Sequence, residues 1–244
     1  MNTEKSVGKR IEKLADHLYY IPEYPSLDCN IYILEDSQRK LCIIDTGDGR
    51  TIDLAIDLLS EINSYPKNIE AVLLTHEHIS HIMGLFSLVD LIDKNSIEIY
   101  AHQITADLIR KGDEKTLIPK SLGISALNLG VKVSKLDVNK FNPPEIFSFG
   151  DFELEIYNTP GHSEGSVSFY DPNKKILFCG DVLFPHGTFG TYNDTGGDLE
   201  TLKKSIGLLN KLNVDLLCPG HMFPKTNANE SITKSLENVL SEKR

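Results

Sequence analysis

The stretch Thr75-His76-Glu77-His78-Ile79-Ser80-His81-Ile82-Met83-Gly84 constrains this chain more than any other. Three histidines fall within six positions, directly after the apolar run Ala71-Val72-Leu73-Leu74. A short apolar run ahead of a polar cluster reads as a buried strand ending at a functional loop. From Ile82 to Leu91 the apolar spacing becomes helical. The histidines therefore occupy a strand-to-helix turn, from which several imidazoles can converge on one point. Neutral imidazole is the commonest metal ligand and suits zinc or iron. A lone histidine would be read as a surface or core residue, but three at this spacing point to a metal.

The rest of the chain supplies strands that end in similar chemistry. His17–Pro22, Cys29–Leu34 and Leu41–Ile44 read as short strands of an antiparallel meander. The third runs into Asp45-Thr46-Gly47-Asp48-Gly49, where glycine permits a sharp turn. A helix is expected over Thr51–Ile62, a strand over Ile69–Leu74, and a helix from Ser80 or His81 towards Asp93. Ile97–Ala101 reads as a strand and Ile104–Arg110 as a short helix. From Lys111 to Asn139 the periodicity fades, giving an insertion that is either a lid or a surface excursion. Strands return at Ile146–Phe149, Phe152–Tyr157, Ser166–Tyr170 and Ile176–Phe178. A glycine-rich loop over Gly180–Gly197 follows, then a helix at Leu199–Leu212, a strand at Val214–Cys218 and a helix at Ser231–Leu240. The halves repeat one another coarsely, which predicts one α/β (α+β) domain over residues 1–244, with two packed sheets, helices outside and residues 111–139 as a candidate lid.

Composition excludes several classes. Hydrophobic content of 40% and charged content of 25% are ordinary for a globular domain large enough to fold without disulfide staples. A formal net charge of −10 argues against nucleic acid or an anionic membrane as partner. Cys29, Cys42, Cys179 and Cys218 form no C-x-x-C pair and sit beside apolar residues, as buried thiols of a reducing compartment do. Met1–Lys13 has no apolar signal region, and no run approaches the roughly 18 residues a membrane span needs. The expectation is a cytoplasmic protein acting on a small molecule. Oligomeric state is not legible.

Three further motifs complete the opening one: Thr159-Pro160-Gly161-His162-Ser163, Phe178-Cys179-Gly180-Asp181 and Cys218-Pro219-Gly220-His221. With Asp45, each places a metal-type side chain at the end of an apolar strand. His17 and His102 fall outside and read as structural or surface residues. His186 and Tyr192, in the loop after Asp181, are the substrate-facing candidates, although a surface position is the simpler reading of His186.

This order of motifs, T-H-x-H-x-x-H-x-G, P-G-H-S, G-D and P-G-H, resembles the metallo-β-lactamase superfamily, and within it the small thioesterase, lactonase and glyoxalase-II-like members. The resemblance spans Asp45 to His221 and implies a four-layer αββα sandwich with metals at one rim. It implies that His76, His78 and His162 hold one metal, that His81 and His221 hold a second, and that Asp181 bridges them. Asp45 would hydrogen-bond a ligand imidazole and fix its tautomer.

The chain departs from that pattern at Ser80, where the family has an aspartate ligand of the second metal. Two divalent ions bring four positive charges, of which a bridging hydroxide and Asp181 cancel two. A third anion is missing, and metals about 3.5–4 Å apart tolerate the excess poorly. One firmly bound zinc and a weak or absent second are therefore expected, with iron as another candidate. Ser80 reads otherwise as the N-cap of the following helix, or, as a minor reading, as a nucleophile activated by His78 or His81. Glu77 reads as a solvent carboxylate pointing away from His76 and His78.

The expected chemistry is hydrolysis, with a metal-bound hydroxide oriented by Asp181 attacking an ester, lactone, thioester or amide carbonyl. His81 and His221 could donate to the oxyanion. The alternative is a mononuclear Fe(II) site of His76, His162 and Asp181, as in persulfide dioxygenases of the same superfamily. A metal-binding protein without turnover is the third reading.

Overall fold

The computed structural model describes residues 10–23, 28–49, 52–92, 97–193 and 196–242. Residues 1–9, Thr51, Asp93 and part of the Gly180–Gly197 loop, on which some sequence expectations fall, lie outside the described residues.

Two sheets form the centre. The first runs β1 (Glu12–Ala15), β2 (Leu18–Ile21), β3 (Ile31–Glu35), β4 (Leu41–Ile44), β5 (Ile69–Leu73), β6 (Glu98–Ala101) and β7 (Asn139–Lys140), in that spatial order. β2 to β4 are the expected antiparallel meander, and β1 extends it antiparallel to β2. β4 to β7 are parallel, and the links between them carry the helices α1 (Ile52–Leu58), α2 (Ile79–Leu91), α3 (Gln103–Lys111) and α4 (Glu114–Leu117). The second sheet runs antiparallel through β8 (Glu145–Phe149), β9 (Phe152–Asn158), β10 (Val167–Asp171) and β11 (Ile176–Gly180). A hairpin of β12 (Leu183–Phe184) and β13 (Thr188–Phe189), then α5 (Leu199–Leu209), leads to β14 (Leu216–Pro219), parallel to β11. β15 (Lys225–Thr226) and α6 (Ala228–Ser241) close the chain.

The period-two alternation of strand side chains sorts the apolar residues into three layers. Ile31 and Ile33 of β3 face a core shared with α1, α2 and α3, while Tyr32 and Leu34 face the space between the sheets. Across that space lie Phe152, Phe169 and Phe178. Leu177 and Cys179, the neighbours of Phe178, face a third core beneath α5 and α6. Strands buried on both faces read as continuous apolar runs, as β3, β4 and β11 do. The result is the expected four-layer αββα sandwich. Leu117, Ile118, Ala126, Leu129, Val131, Leu136 and Val138 of the 111–139 segment belong to the first core. All four cysteines are free and buried. No helix among the described residues is long and apolar enough to cross a membrane.

Several elements differ from expectation, among them the β12–β13 hairpin inside the expected Gly180–Gly197 loop. β1 is polar and exposed enough to carry no strand pattern, and forms because its backbone pairs with β2. The expected helix at 51–62 ends its α-helical part at Leu58 and tightens into a 3₁₀ turn over Leu59–Ile62. α2 begins at Ile79, with His78 as its extended N-cap residue and no side-chain cap. Ser80 lies inside the first turn, so it does not cap the helix.

Candidate metal centre

β4, β5, β9, β11 and β14 deliver their carboxyl ends to one rim of the sandwich. β4 and β5 are parallel, as are β11 and β14, and β9 points with β11 because both are antiparallel to β10. Asp45 follows β4, Thr75 to His78 follow β5, His162 follows β9, Asp181 follows β11 and His221 follows β14. His81 enters from the first turn of α2.

Six predicted side chains meet there. His78 Nδ1 lies 2.9 Å from His162 Nε2, and one nitrogen each from His76, His78 and His162 fall within 4.8 Å of one another. Zinc–nitrogen bonds of about 2.0–2.1 Å in a tetrahedron separate ligand nitrogens by about 3.3 Å, so these three need little movement to share a cation. Asp181 lies between this trio and the other pair. Its Oδ2 is 4.0 Å from His76 Nε2, 3.6 Å from His162 Nε2 and 3.2 Å from His221 Nε2, and its Oδ1 is 3.4 Å from His81 Nε2.

His76 Nε2, His81 Nε2 and Asp181 Oδ1 are buried and make no hydrogen bond. Burying such groups unsatisfied is costly. Three of them aimed at one place, all metal-ligating atoms, fit divalent cations. Gly220 makes the convergence possible: a Cβ there would stand 2.2 Å from Asp181 Oδ1 and 2.6 Å from His81 Cε1.

The nitrogens turned away from the centre are also held. Asp45, buried with φ of 59°, accepts from the Thr75 N–H (2.8 Å), the Thr75 hydroxyl (2.7 Å) and His81 Nδ1 (2.8 Å). A carboxylate has no proton to give, so the Thr75 hydroxyl must donate to it. Thr75 Oγ1 is then left to accept from His76 Nδ1 at 3.0 Å. One carboxylate thereby sets two tautomers: in the neutral rings, Nε2 of both His76 and His81 is the lone pair facing the centre. His162 Nδ1 donates to the Thr191 carbonyl at 2.8 Å, and His221 Nδ1 to Glu23 Oε2 at 2.6 Å.

Electrostatics divide the cluster. Burial and the neighbouring His81 keep the His76 imidazole neutral, well below its ordinary range. At His81 burial opposes the charge, but Cys29, Asp181 and Asp45 outweigh it and hold the pKa well above the ordinary value. Burial likewise opposes ionisation of Asp181, and His81 and His221 overcome it and hold the acid well below the usual carboxylate range. His221 rises to about 9 because hydrogen bonds to Asp181 and Glu23 outweigh burial. Without a cation the site thus keeps Asp181 charged by charging the imidazoles that flank it.

Glu77 is not a solvent carboxylate. It points away from the centre, as expected, but is half-buried and accepts from Gly165 N–H and from the Thr105 hydroxyl, each at 3.3 Å. It braces the His76–His78 turn against the loop after His162. His102 is structural: its Nδ1 accepts from Ile104 N–H at 3.3 Å and caps α3. Ser80 is half-buried and enters no side-chain hydrogen bond among the described residues. His186 is exposed, in left-handed backbone, edge-on to Phe223 at 5.7 Å. Tyr192 packs partly buried against the third core. Cys29 sits behind His81 with Asp45, its thiol pushed up to about 12 by burial.

Sequence reasoning missed Glu23, Thr191 and the role of Thr75. Thr75 stood inside the motif and could have been found from the need to fix the His76 tautomer. Glu23 and Thr191 carry no local signal.

Residues 25–221 match the model of the metallo-beta-lactamase superfamily. The chain belongs to that superfamily. It is 32% identical over 181 residues to the probable metallo-hydrolase YqgX of Bacillus subtilis, covering 74% of this chain and 77% of that protein. It is 27% identical over 232 residues to the bovine acyl-coenzyme A thioesterase MBLAC2, covering 86% and 80%. The crystal structure of TTHA1623 in a di-iron-bound form superposes with a TM-score of 0.65 at 27% identity, covering 88% of this chain and 95% of that one.

Proposed function

We propose that this chain is a metal-dependent hydrolase of a small ester-type substrate, a thioester foremost. The observation that carries the reading is Asp181: an ionised, buried carboxylate with one oxygen 3.2–4.0 Å from His76, His162 and His221 and the other 3.4 Å from His81. In this reading His76, His78 and His162 hold one cation firmly, zinc by preference. His81, His221 and Asp181 form a second, weaker position, and Asp45 fixes the imidazoles from behind. A bound divalent cation lowers the pKa of water to about 7 and polarises a carbonyl oxygen.

The residues do the remainder. Asp181 orients the attacking water by accepting its hydrogen bond, since an acceptor-only group at the centre of the cluster is placed for it. His81 or His221, where not engaged by a cation, donates from Nε2 to the developing oxyanion. His186 and Tyr192 are the candidates for contact with the substrate beyond the reacting carbonyl. The name of the bovine relative, an acyl-coenzyme A thioesterase, supports a thioester carbonyl.

The test is a panel of acyl thioesters, lactones and aryl esters, assayed with the zinc-loaded wild type and Asp181→Ala. Turnover of at least one thioester, lowered more than a hundredfold in the variant, is the expected result. No turnover on the panel, or equal turnover by both proteins, sinks the reading.

A second reading rests on the same side chains. His76, His162 and Asp181 form a two-histidine, one-carboxylate face of the kind that binds Fe(II) in oxygenases. Oxygen uptake by the iron-loaded protein with glutathione persulfide checks it, and full activity with zinc alone excludes it.

A further inference from the structure

The groups standing behind the imidazoles differ between the two halves of the centre. Behind His76 and His162 stand neutral oxygens, the Thr75 hydroxyl and the Thr191 carbonyl. Behind His81 and His221 stand carboxylates, Asp45 and Glu23. The half that carries the neutral Ser80, and shares the single carboxylate Asp181 with the other half, is the half whose imidazoles are backed by anions.

We propose that Glu23 is a positioning residue that orients His221 for a second divalent cation and supplies part of the negative charge that Ser80 does not. The proposal rests on the reading of the centre as a cation site. Glu23 is held at both ends for this role. Its N–H donates to Asn30 Oδ1 at 2.9 Å, its Oε1 accepts from Met222 N–H at 2.8 Å, and its Oε2 accepts from His221 Nδ1 at 2.6 Å. Asn30 secures the same turn, donating to the carbonyls of Pro219, Gly220 and Met222 at 3.0, 2.7 and 2.8 Å. Met222 has φ of 66°, a strained value that these bonds maintain. In the neutral ring the clamp keeps the proton of His221 on Nδ1, which frees Nε2 for a cation, and Asp45 does the same for His81. A carboxylate behind a ligating imidazole fixes its tautomer and raises its basicity. Two such carboxylates therefore lower the local positive charge without occupying coordination positions.

Glu23→Gln separates this role from a mere tether. The amide oxygen keeps the Met222 bond, so the amide NH₂ faces His221 Nδ1. That arrangement requires Nδ1 to accept, moving the imidazole proton to Nε2, where a cation must bind.

The experiment is a zinc titration of the chelator-stripped full chain, competed against a chromophoric chelator. Wild type is expected to take two equivalents, the second more weakly. Glu23→Gln should raise the second Kd by about 10–100-fold and leave the first within threefold. Ser80→Asp should tighten the second equivalent in wild type and restore it in Glu23→Gln, which keeps the proposal testable if the single Glu23 variant folds poorly. A single equivalent in wild type overturns the proposal, as does a second Kd that Glu23→Gln leaves within threefold, or an equal weakening of both equivalents. The readout is binding alone, so a failed substrate panel with this binding pattern sinks the hydrolase reading and leaves the role of Glu23 standing.

Discussion

The Thr75 hydroxyl lies 2.7 Å from Asp45 Oδ2 and hands the demand of that carboxylate on to a neighbouring histidine. Asp45 reaches His81 directly and His76 through the Thr75 hydroxyl. Replacing Thr75 with Val keeps the shape and removes the relay. His76 Nδ1 then loses its acceptor, and its proton is free to move to Nε2. The expected result is a first-equivalent zinc Kd raised by about 10–100-fold, with Thr75→Ser near wild type. Chelator competition reads both, and equal affinity of Thr75→Val and wild type would show that the relay does not matter.

Glu77 makes the second prediction. It joins the turn that carries His76 and His78 to the loop that follows His162, across 88 residues of sequence. Glu77→Ala removes both bonds and leaves Gly165 N–H and the Thr105 hydroxyl without this partner. Zinc binding at the trio should weaken by about tenfold, within the range for residues that support ligands. Glu77→Gln keeps an acceptor for Gly165 and should bind nearly as wild type. Similar losses in both variants would mean that the charge of Glu77, and not its bracing, is what matters.

Gly220 makes the third. The turn passes so close to Asp181 that an added Cβ would lie 2.2 Å from Oδ1. Gly220→Ala must displace either the carboxylate or the turn carrying His221. Overpacking of this kind costs about 1–3 kcal/mol, so the melting temperature should fall, and the second zinc equivalent should weaken with it. Thermal unfolding and zinc titration of the variant test this together. A variant that melts and binds as wild type would mean the neighbours yield without cost.

The sandwich and the six central side chains were legible because their information is local. Each lies in a run of a few residues where an apolar strand stops and a glycine or histidine begins, as at Leu74 to His78 or Phe178 to Asp181. What was not legible is what holds those side chains in place. Glu23 meets His221 across 198 residues, and no spacing rule connects them. Thr191 acts through its backbone carbonyl, which any residue could offer. Glu77 looked like a surface acid because its partners, Gly165 and Thr105, arrive only when two distant loops pack. The Ser80 cap failed by two residues, since helix start signals do not fix whether the helix begins at Ile79 or His81. β1 and the strands of two residues are set by backbone pairing, which leaves little trace in side-chain pattern.

His102 gives the last prediction, on stability against pH. Its Nδ1 caps α3 by accepting the Ile104 N–H, which only the neutral ring can do. Burial lowers its pKa below the ordinary 6.5, against the opposing pull of Glu77. The folded chain therefore binds fewer protons at this site than the unfolded chain. Its contribution to stability is present above about pH 6.5 and is lost as pH falls through that value towards the depressed folded one. His102→Asn replaces the cap with a residue that caps at every pH in this range. Loss of an N-cap costs about 0.5–2 kcal/mol, so urea unfolding of the two proteins should coincide near pH 8. Below pH 6 the wild type should become the less stable by an amount of that order. The comparison cancels the other histidines, which both proteins share. A difference that stays constant from pH 8 to pH 5 would show that His102 keeps its acceptor nitrogen when the surroundings turn acid.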